Sequence, residues 1–188
     1  HGANWNTEIG ILNFLPGGAH NVANDKTKHL VRKWVPRVLR ATAPRNSTNM
    51  DWIVFRVAEL YLNYAEALNE YYETPPKEAF DAVLKVRERS GMPGFPSTLN
   101  KEQFREKLRR ERAVELAYED HRFWDIRRWL IADDEGVMKG AMYGLQLSAV
   151  TGAPGKVHYK PYVFENRLWS DRSYLHPIKQ TEIDKGYM

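Results

Sequence analysis

The chain has 188 residues, with 28 Lys and Arg against 24 Asp and Glu for a net charge of +4, and it is 43% hydrophobic and 12% aromatic. A chain of this length can bury about 70% of its unfolded surface, and its composition is that of a globular rather than a disordered protein. Cys is absent, which excludes disulfides and thiolate ligands, and no run of 18 apolar residues is present to make a helical membrane span.

Residues 1–50 are rich in Gly, Asn, Pro and Thr, with a turn signal at Pro16-Gly17-Gly18, and read as loops and short strands. The opening HGANWNTEIG lacks the charged and apolar regions of a secretion signal. Between Lys26 and Arg45 there are seven Lys or Arg and no acid, interleaved with Trp34. That is the composition of a single-stranded nucleic-acid groove. No nucleic-acid motif accompanies it, and Pro36 among β-branched residues predicts an extended structural connector instead.

From about Trp52 the pattern becomes helical. Val57, Leu60, Tyr61, Tyr64, Ala65 and Leu68 form an apolar stripe over 56–72, and Ala58, Ala65 and Ala67 allow another helix to approach closely. Thr74 as N-cap and Pro75 at the first helical position predict a second helix over 76–90, with Ala79, Phe80, Val83, Leu84 and Val86 inward. Gly91 ends it and Pro93 prevents continuation. The pair is a tetratricopeptide-like hairpin, although no clean 34-residue repeat is visible.

Lys101–Leu130 contains neither Gly nor Pro and predicts one helix about 45 Å long, started by a capping box of Asn100 and Gln103. Phe104, Leu108, Leu116, Phe123, Ile126, Trp129 and Leu130 supply its apolar stripe. Glu111, Glu115 and Glu119 form a second ridge, in which like charges one turn apart repel. Arg112, Arg122 and Arg128 can reach Glu115, Glu119 and Asp125 at i, i+3, and the hairpin offers Arg56, Arg87 and Arg89 as further donors. Beyond Leu130 the helical period is lost among Gly136, Gly140, Gly144, Gly152 and Gly155. This reads as a loop-rich lobe with one strand at VHYKPYVFE, kept at an edge by Pro161, and a short extended piece at YLHPI. The expected architecture is therefore mostly α: a tetratricopeptide-like hairpin packed on one long helix (51–131), between loops and short strands at 1–50 and a loop-rich lobe at 132–188.

These residues also carry a resemblance. ERAVELAYEDHRFWDIRRW is similar to the ER..EL..E..R..D..RW signature of the SusD/RagB family, and FRVAELYLNYAEALNE, AFDAVLKVRERSGMP and YLHPIKQTEI resemble three further family stretches, in family order. Asp120 stands where the family pattern has Gly, and Lys179 where it has a second Pro. The resemblance implies the C-terminal part of a longer, lipid-anchored protein on the outer face of the outer membrane. Such a protein captures oligosaccharides and passes them to a SusC-like TonB-dependent transporter. It implies no enzyme, no cofactor, no nucleic-acid partner and no membrane contact beyond an anchor outside this chain. A helical-repeat scaffold for protein partners, without a sugar site, is the alternative use of the same hairpin.

The residues argue against several chemistries. The six His are scattered without ligand spacing, so no metal site is expected; His121 reads as surface or ion-paired and His176 as packed in the C-terminal segment. Gly152-Ala153-Pro154-Gly155-Lys156 lacks the first Gly and the Ser/Thr of a phosphate loop. Glu115 and Glu119 could flank a glycosidase cleft, but neighbouring Arg residues would hold both ionised, removing the general acid. Asn46-Ser47-Thr48 matches a glycosylation acceptor formally and reads as a turn. Sugar receptors present aromatic platforms rimmed by polar groups. Trp5, between Asn4 and Asn6, and Trp169, near Asn166, Asp171 and Arg172, have those neighbours, although core is the commoner place for each. Trp34, Trp52, Trp124 and Trp129 are expected to be buried, which leaves most of a sugar site outside these residues.

Overall fold

A computed structural model describes residues 25–28, 31, 33–34, 53–151 and 156–186. The expectations for Trp5, Trp52, the turn at Pro16-Gly17-Gly18, most of the basic segment and the 152–155 stretch lie outside the described residues. Those described are mostly helical, with one two-stranded sheet. The chain divides into two units, Asp51–Asp125, and His1–Met50 with Ile126–Met188.

In the first unit, α1 (Val57–Tyr71) and α2 (Lys77–Glu88) form the hairpin, and α1 also packs on α3 (Lys101–Glu115). The start of α2 differs from expectation: Pro76, not Thr74, is the N-cap, and it is extended with ψ 164°. A residue preceding proline is driven out of the helical region, so Pro75 ahead of Pro76 cannot begin a helix. The end of α2 is as predicted. Gly91 sits at φ +70°, Gly91 N–H donates to Glu88 and Met92 N–H to Arg87, the paired bonds of a glycine-terminated helix. At the start of α3, Asn100 accepts from Gln103 N–H at 2.9 Å while the Gln103 side chain accepts from Asn100 N–H at 3.2 Å.

The core joins Leu62 and Ala65 of α1, Ala79, Ala82, Val83 and Val86 of α2, and Phe104 and Leu108 of α3 with Leu116 beyond it. Phe104 is fully buried, with Phe80 and Phe95 set edge-on to it at 4.9 and 5.6 Å. The stripe expected on α1 is largely on the wrong face. Glu59, Leu62, Ala65 and Asn69 turn inward, whereas Val57, Leu60, Tyr61 and Tyr64 are exposed. Small Ala65 and the two polar groups let α1 approach its neighbours closely and bond to them, which the bulkier stripe would prevent. Leu84 of α2 is likewise exposed and Phe80 only half-buried.

The long helix is two. α3 ends at Glu115, a turn covers 116–120, and α4 runs from His121 to Arg128. Tyr118 (φ +62°) and Asp120 (φ +67°) adopt the left-handed conformation that ends helices. A third left-handed residue, Leu130 (φ +53°), closes α4, with Ile131 N–H donating to Ile126 O at 3.0 Å. The position at which the family pattern has Gly is thus one where a side chain is strained. Since Asp120 is exposed, Asp120→Gly relieves about 1 kcal/mol of left-handed strain, partly offset by the greater freedom of Gly when unfolded. A net rise in melting temperature of about 1–2 °C is expected in a thermal scan; a fall would show that the carboxylate itself supports the turn.

In the second unit β1 (Gly140–Ala149) and β2 (Val157–Arg167) form an antiparallel ribbon, with a bulge at Met142/Tyr143. β2 is the predicted strand, and Pro161, opposite Leu145, is tolerated because each strand of a two-stranded ribbon is an edge. β1 was expected as loop. Its glycines hide the alternation, yet Gly144 has a packing reason: a Cβ there would lie 2.4 Å from the Lys26 carbonyl oxygen, which accepts from Leu145 N–H at 2.9 Å. A 3₁₀ turn at Asp171–Tyr174 and the short α5 (Gln180–Ile183) follow. Tyr174 of YLHPI ends the 3₁₀ turn, Leu175 after it is extended, 175–178 belong to no strand, and His176 is exposed.

Candidate functional site

Three groupings could carry function: the carboxylate ridge, the surroundings of Trp169, and a groove beside α3.

The ridge is bound by the hairpin. Arg56 donates to Glu115 and to Glu119, each at 2.6 Å, and to the Glu115 backbone carbonyl at 2.7 Å, where a guanidinium suits the C-terminal end of α3. Arg89 donates to both Glu115 oxygens at 2.7 and 3.0 Å, and Arg87 pairs with Glu111. All three expected donors are therefore engaged. Burial opposes the Arg56 charge, but the bonds to Glu119 and Glu115 outweigh it and hold its pKa above the ordinary value. His121 Nε2 lies 3.5 Å from Glu59 Oε2. Glu115 is thus clasped by two guanidinium groups, an arrangement suited to joining helices rather than delivering a proton to a glycosidic oxygen.

Asp125 has a partner beyond those expected. Arg112, 3% exposed, grips both its oxygens at 3.0 and 3.1 Å and donates to Asn63 Oδ1 at 2.6 Å. On a continuous helix these residues would be about 20 Å apart. The left-handed turn at 116–120 is what brings Asp125 back over Arg112.

Trp169 is half-buried. Tyr174 stands edge-on at 5.3 Å, and the Arg127 guanidinium lies over the indole at 5.3 Å, covering one face. The Tyr174 hydroxyl donates to Asp133 at 2.6 Å and accepts from Ala132 N–H at 3.0 Å. Desolvation and the Asp133 bond raise the Tyr174 pKa, while that bond lowers the pKa of Asp133. Trp169 Nε1 is buried with no hydrogen-bond partner among the described residues. Trp124, expected inside, is 56% exposed, with Phe123 edge-on at 5.0 Å; Trp34 and Trp129 are half-buried. Trp5 lies outside the described residues.

The groove, of about 600 Å³, was not foreseen. One wall is the Pro93-Gly94-Phe95-Pro96 turn after α2, and the other is the face of α3 bearing Gln103, Lys107 and Arg110. The proline-bracketed Phe95 was its available signal in the sequence. Among the described residues no three His, Asp or Glu are grouped to hold a metal, and no helix is long and apolar enough to cross a membrane.

With this geometry in hand, comparison with known proteins decides the family. The SusD family model matches residues 4–186. The chain belongs to the SusD family. Two curated relatives come from Formosa agariphila: SusD-like protein P25 is 40% identical over 95 residues, covering 49% of this chain and 18% of its own, and SusD-like protein P38 is 34% identical over 84 residues, covering 40% and 16%. The matched stretch spans less than a fifth of either relative. Among solved structures, a SusD superfamily protein from Parabacteroides distasonis aligns over 71% of this chain and 25% of its own, with a TM-score of 0.50 at 22% identity, and supports the fold. A SusD homolog from Bacteroides thetaiotaomicron is 38% identical over 46% of this chain and 19% of its own, with a TM-score of 0.42. The SusD signature that carried the resemblance maps onto α3, the left-handed turn and α4, and its Glu111, Arg112, Glu115, Glu119 and Asp125 are members of the ion-pair lattice. The family pattern here reads out helix joining.

Proposed function

We propose that this SusD-family chain serves in non-catalytic capture of oligosaccharides at the cell surface and their delivery to a SusC-like TonB-dependent outer-membrane transporter. The family match over residues 4–186 carries this reading. Engagement of Glu111, Glu115 and Glu119 by Arg residues supports binding over hydrolysis. On this reading the protein faces outward from the outer membrane on a lipid anchor, these residues belong to the C-terminal part of a longer receptor, and Trp5 and Trp169 contribute aromatic contacts to a sugar site lying mostly elsewhere.

Isothermal titration with an oligosaccharide panel tests it. The longer receptor is expected to bind one sugar at micromolar levels and this portion at millimolar levels at best, since one or two stacking contacts barely exceed the free-energy cost of association. Trp169→Ala in the receptor should weaken binding about tenfold, the equivalent of one stacking contact of about 1–2 kcal/mol. Micromolar binding by these 188 residues would overturn the division of labour, and a receptor that binds no glycan would overturn the function. The second reading, a protein-binding scaffold, is supported by the exposed stripe of Val57, Leu60, Tyr61 and Tyr64 on α1.

A further inference from the structure

The groove between the 93–96 turn and α3 has features the lattice does not use. It is an open depression of about 600 Å³. Its inner end is neutralised: Arg87 pairs with Glu111, donates to the Pro93 carbonyl at 2.6 Å and lies 5.2 Å over the Phe95 ring. Its mouth is not. Lys107 and Arg110, one helical turn apart and both exposed, are without an ion pair among the described residues, whereas Arg56, Arg87, Arg89, Arg105 and Arg112 all have one. Of the two carboxylates that line the groove with them, Glu106 is the one not already paired with Arg87. With Arg87 and Glu111 cancelled, the mouth carries two positive charges against one negative.

The groove therefore combines a half-buried aromatic ring bracketed by prolines, an amide at Gln103 and an excess of positive charge. A sugar acid matches all three, through its apolar ring face, hydroxyls and carboxylate. An extended peptide matches poorly. It needs free backbone donors and acceptors along a wall, but one wall is a helix whose backbone bonds are made and the other has two prolines without N–H groups.

We propose that this groove is a subsite for an acidic oligosaccharide, with Lys107 and Arg110 holding a uronate carboxylate and the Phe95–Pro96 wall meeting the sugar face. The inference rests on the glycan-binding function proposed above and deepens it. Binding of a galacturonate trisaccharide and of its fully methyl-esterified form to the intact protein tests it, alongside a neutral oligosaccharide panel and a tri-glutamate peptide. The free acid is expected to bind at least about tenfold more tightly than the ester at low salt, with the difference shrinking as salt is added. The double variant Lys107→Ala/Arg110→Ala should erase that difference, and Glu106→Gln should enlarge it. Both variants change exposed side chains outside the core, and an unchanged urea midpoint verifies folding. Equal affinity for acid and ester, or a preference retained in the double variant, overturns the subsite while neutral-glycan binding leaves the receptor function standing. Peptide binding as tight as that of the free acid, with the same dependence on Lys107 and Arg110, also overturns it. If no glycan of any charge binds, the receptor function itself fails.

Discussion

Arg112→Ala is expected to lower the unfolding free energy by about 3–5 kcal/mol, a large share of the total stability of an ordinary domain. The loss does not come from the attraction alone. Asp125 is 5% exposed, and removing Arg112 takes away the bidentate contact that offsets the desolvation of this carboxylate. The same reasoning makes a contrary prediction for the pair: Arg112→Met with Asp125→Leu should cost less than Arg112→Ala, because neither member of the bidentate pair is left without the other. Arg112→Lys should fall between, since an ammonium cannot reproduce the fork that reaches both Asp125 oxygens and Asn63. Urea unfolding of the set is the check. If the double variant were as unstable as Arg112→Ala, packing of the guanidinium stem rather than the broken bidentate pair would be the cause. The exposed Lys77–Asp81 pair on α2 is the internal control: at 82% and 51% side-chain exposure its removal should be undetectable.

Phe104→Ala should be comparably damaging, about 3–5 kcal/mol, through a different term. The ring is fully buried where α1, α2 and α3 meet, and deleting it both forfeits the burial and strips Phe80 and Phe95 of the ring each meets edge-on. Phe104→Leu refills most of the volume and should cost about 1 kcal/mol. The effects of Phe104→Ala and Arg112→Ala should sum to within about 0.5 kcal/mol, because eight residues of α3 set the two about 12 Å apart. A loss below about 1 kcal/mol for Phe104→Ala would mean that the hairpin and α3 close over the space.

What was legible in the sequence was legible because it is local. The Asn100–Gln103 capping box, the termination of α2 at Gly91 and the edge strand with Pro161 each depend on residues within one turn or on the covalent limits of Gly and Pro, and each is present. The carboxylate ridge was legible for a related reason. Three like charges in register cannot be left unanswered on one helix, and Arg56, Arg87 and Arg89 were the cations placed to answer them. The four family stretches added membership, which local physics alone does not supply.

Tertiary structure decided what depends on competition between distant groups. Nothing in 101–130 forbids a continuous helix, but a buried Arg112 that needs a carboxylate, and an Asp120 that tolerates the left-handed region, make the folded-back arrangement better than the straight one. Asp125 gained a partner thirteen positions away, beyond its i, i+3 neighbours, because a folded-back chain allows a bidentate, desolvated contact that a continuous helix does not. On α1 two faces could have been buried, and the smaller side chains won because they permit closer packing against α2 and α3. β1 became a strand only because β2 offered it hydrogen bonds, a partnership that its own glycine-rich sequence does not announce. A helix cap is written into adjacent residues, whereas a partner across the fold exists only after the chain has brought it there.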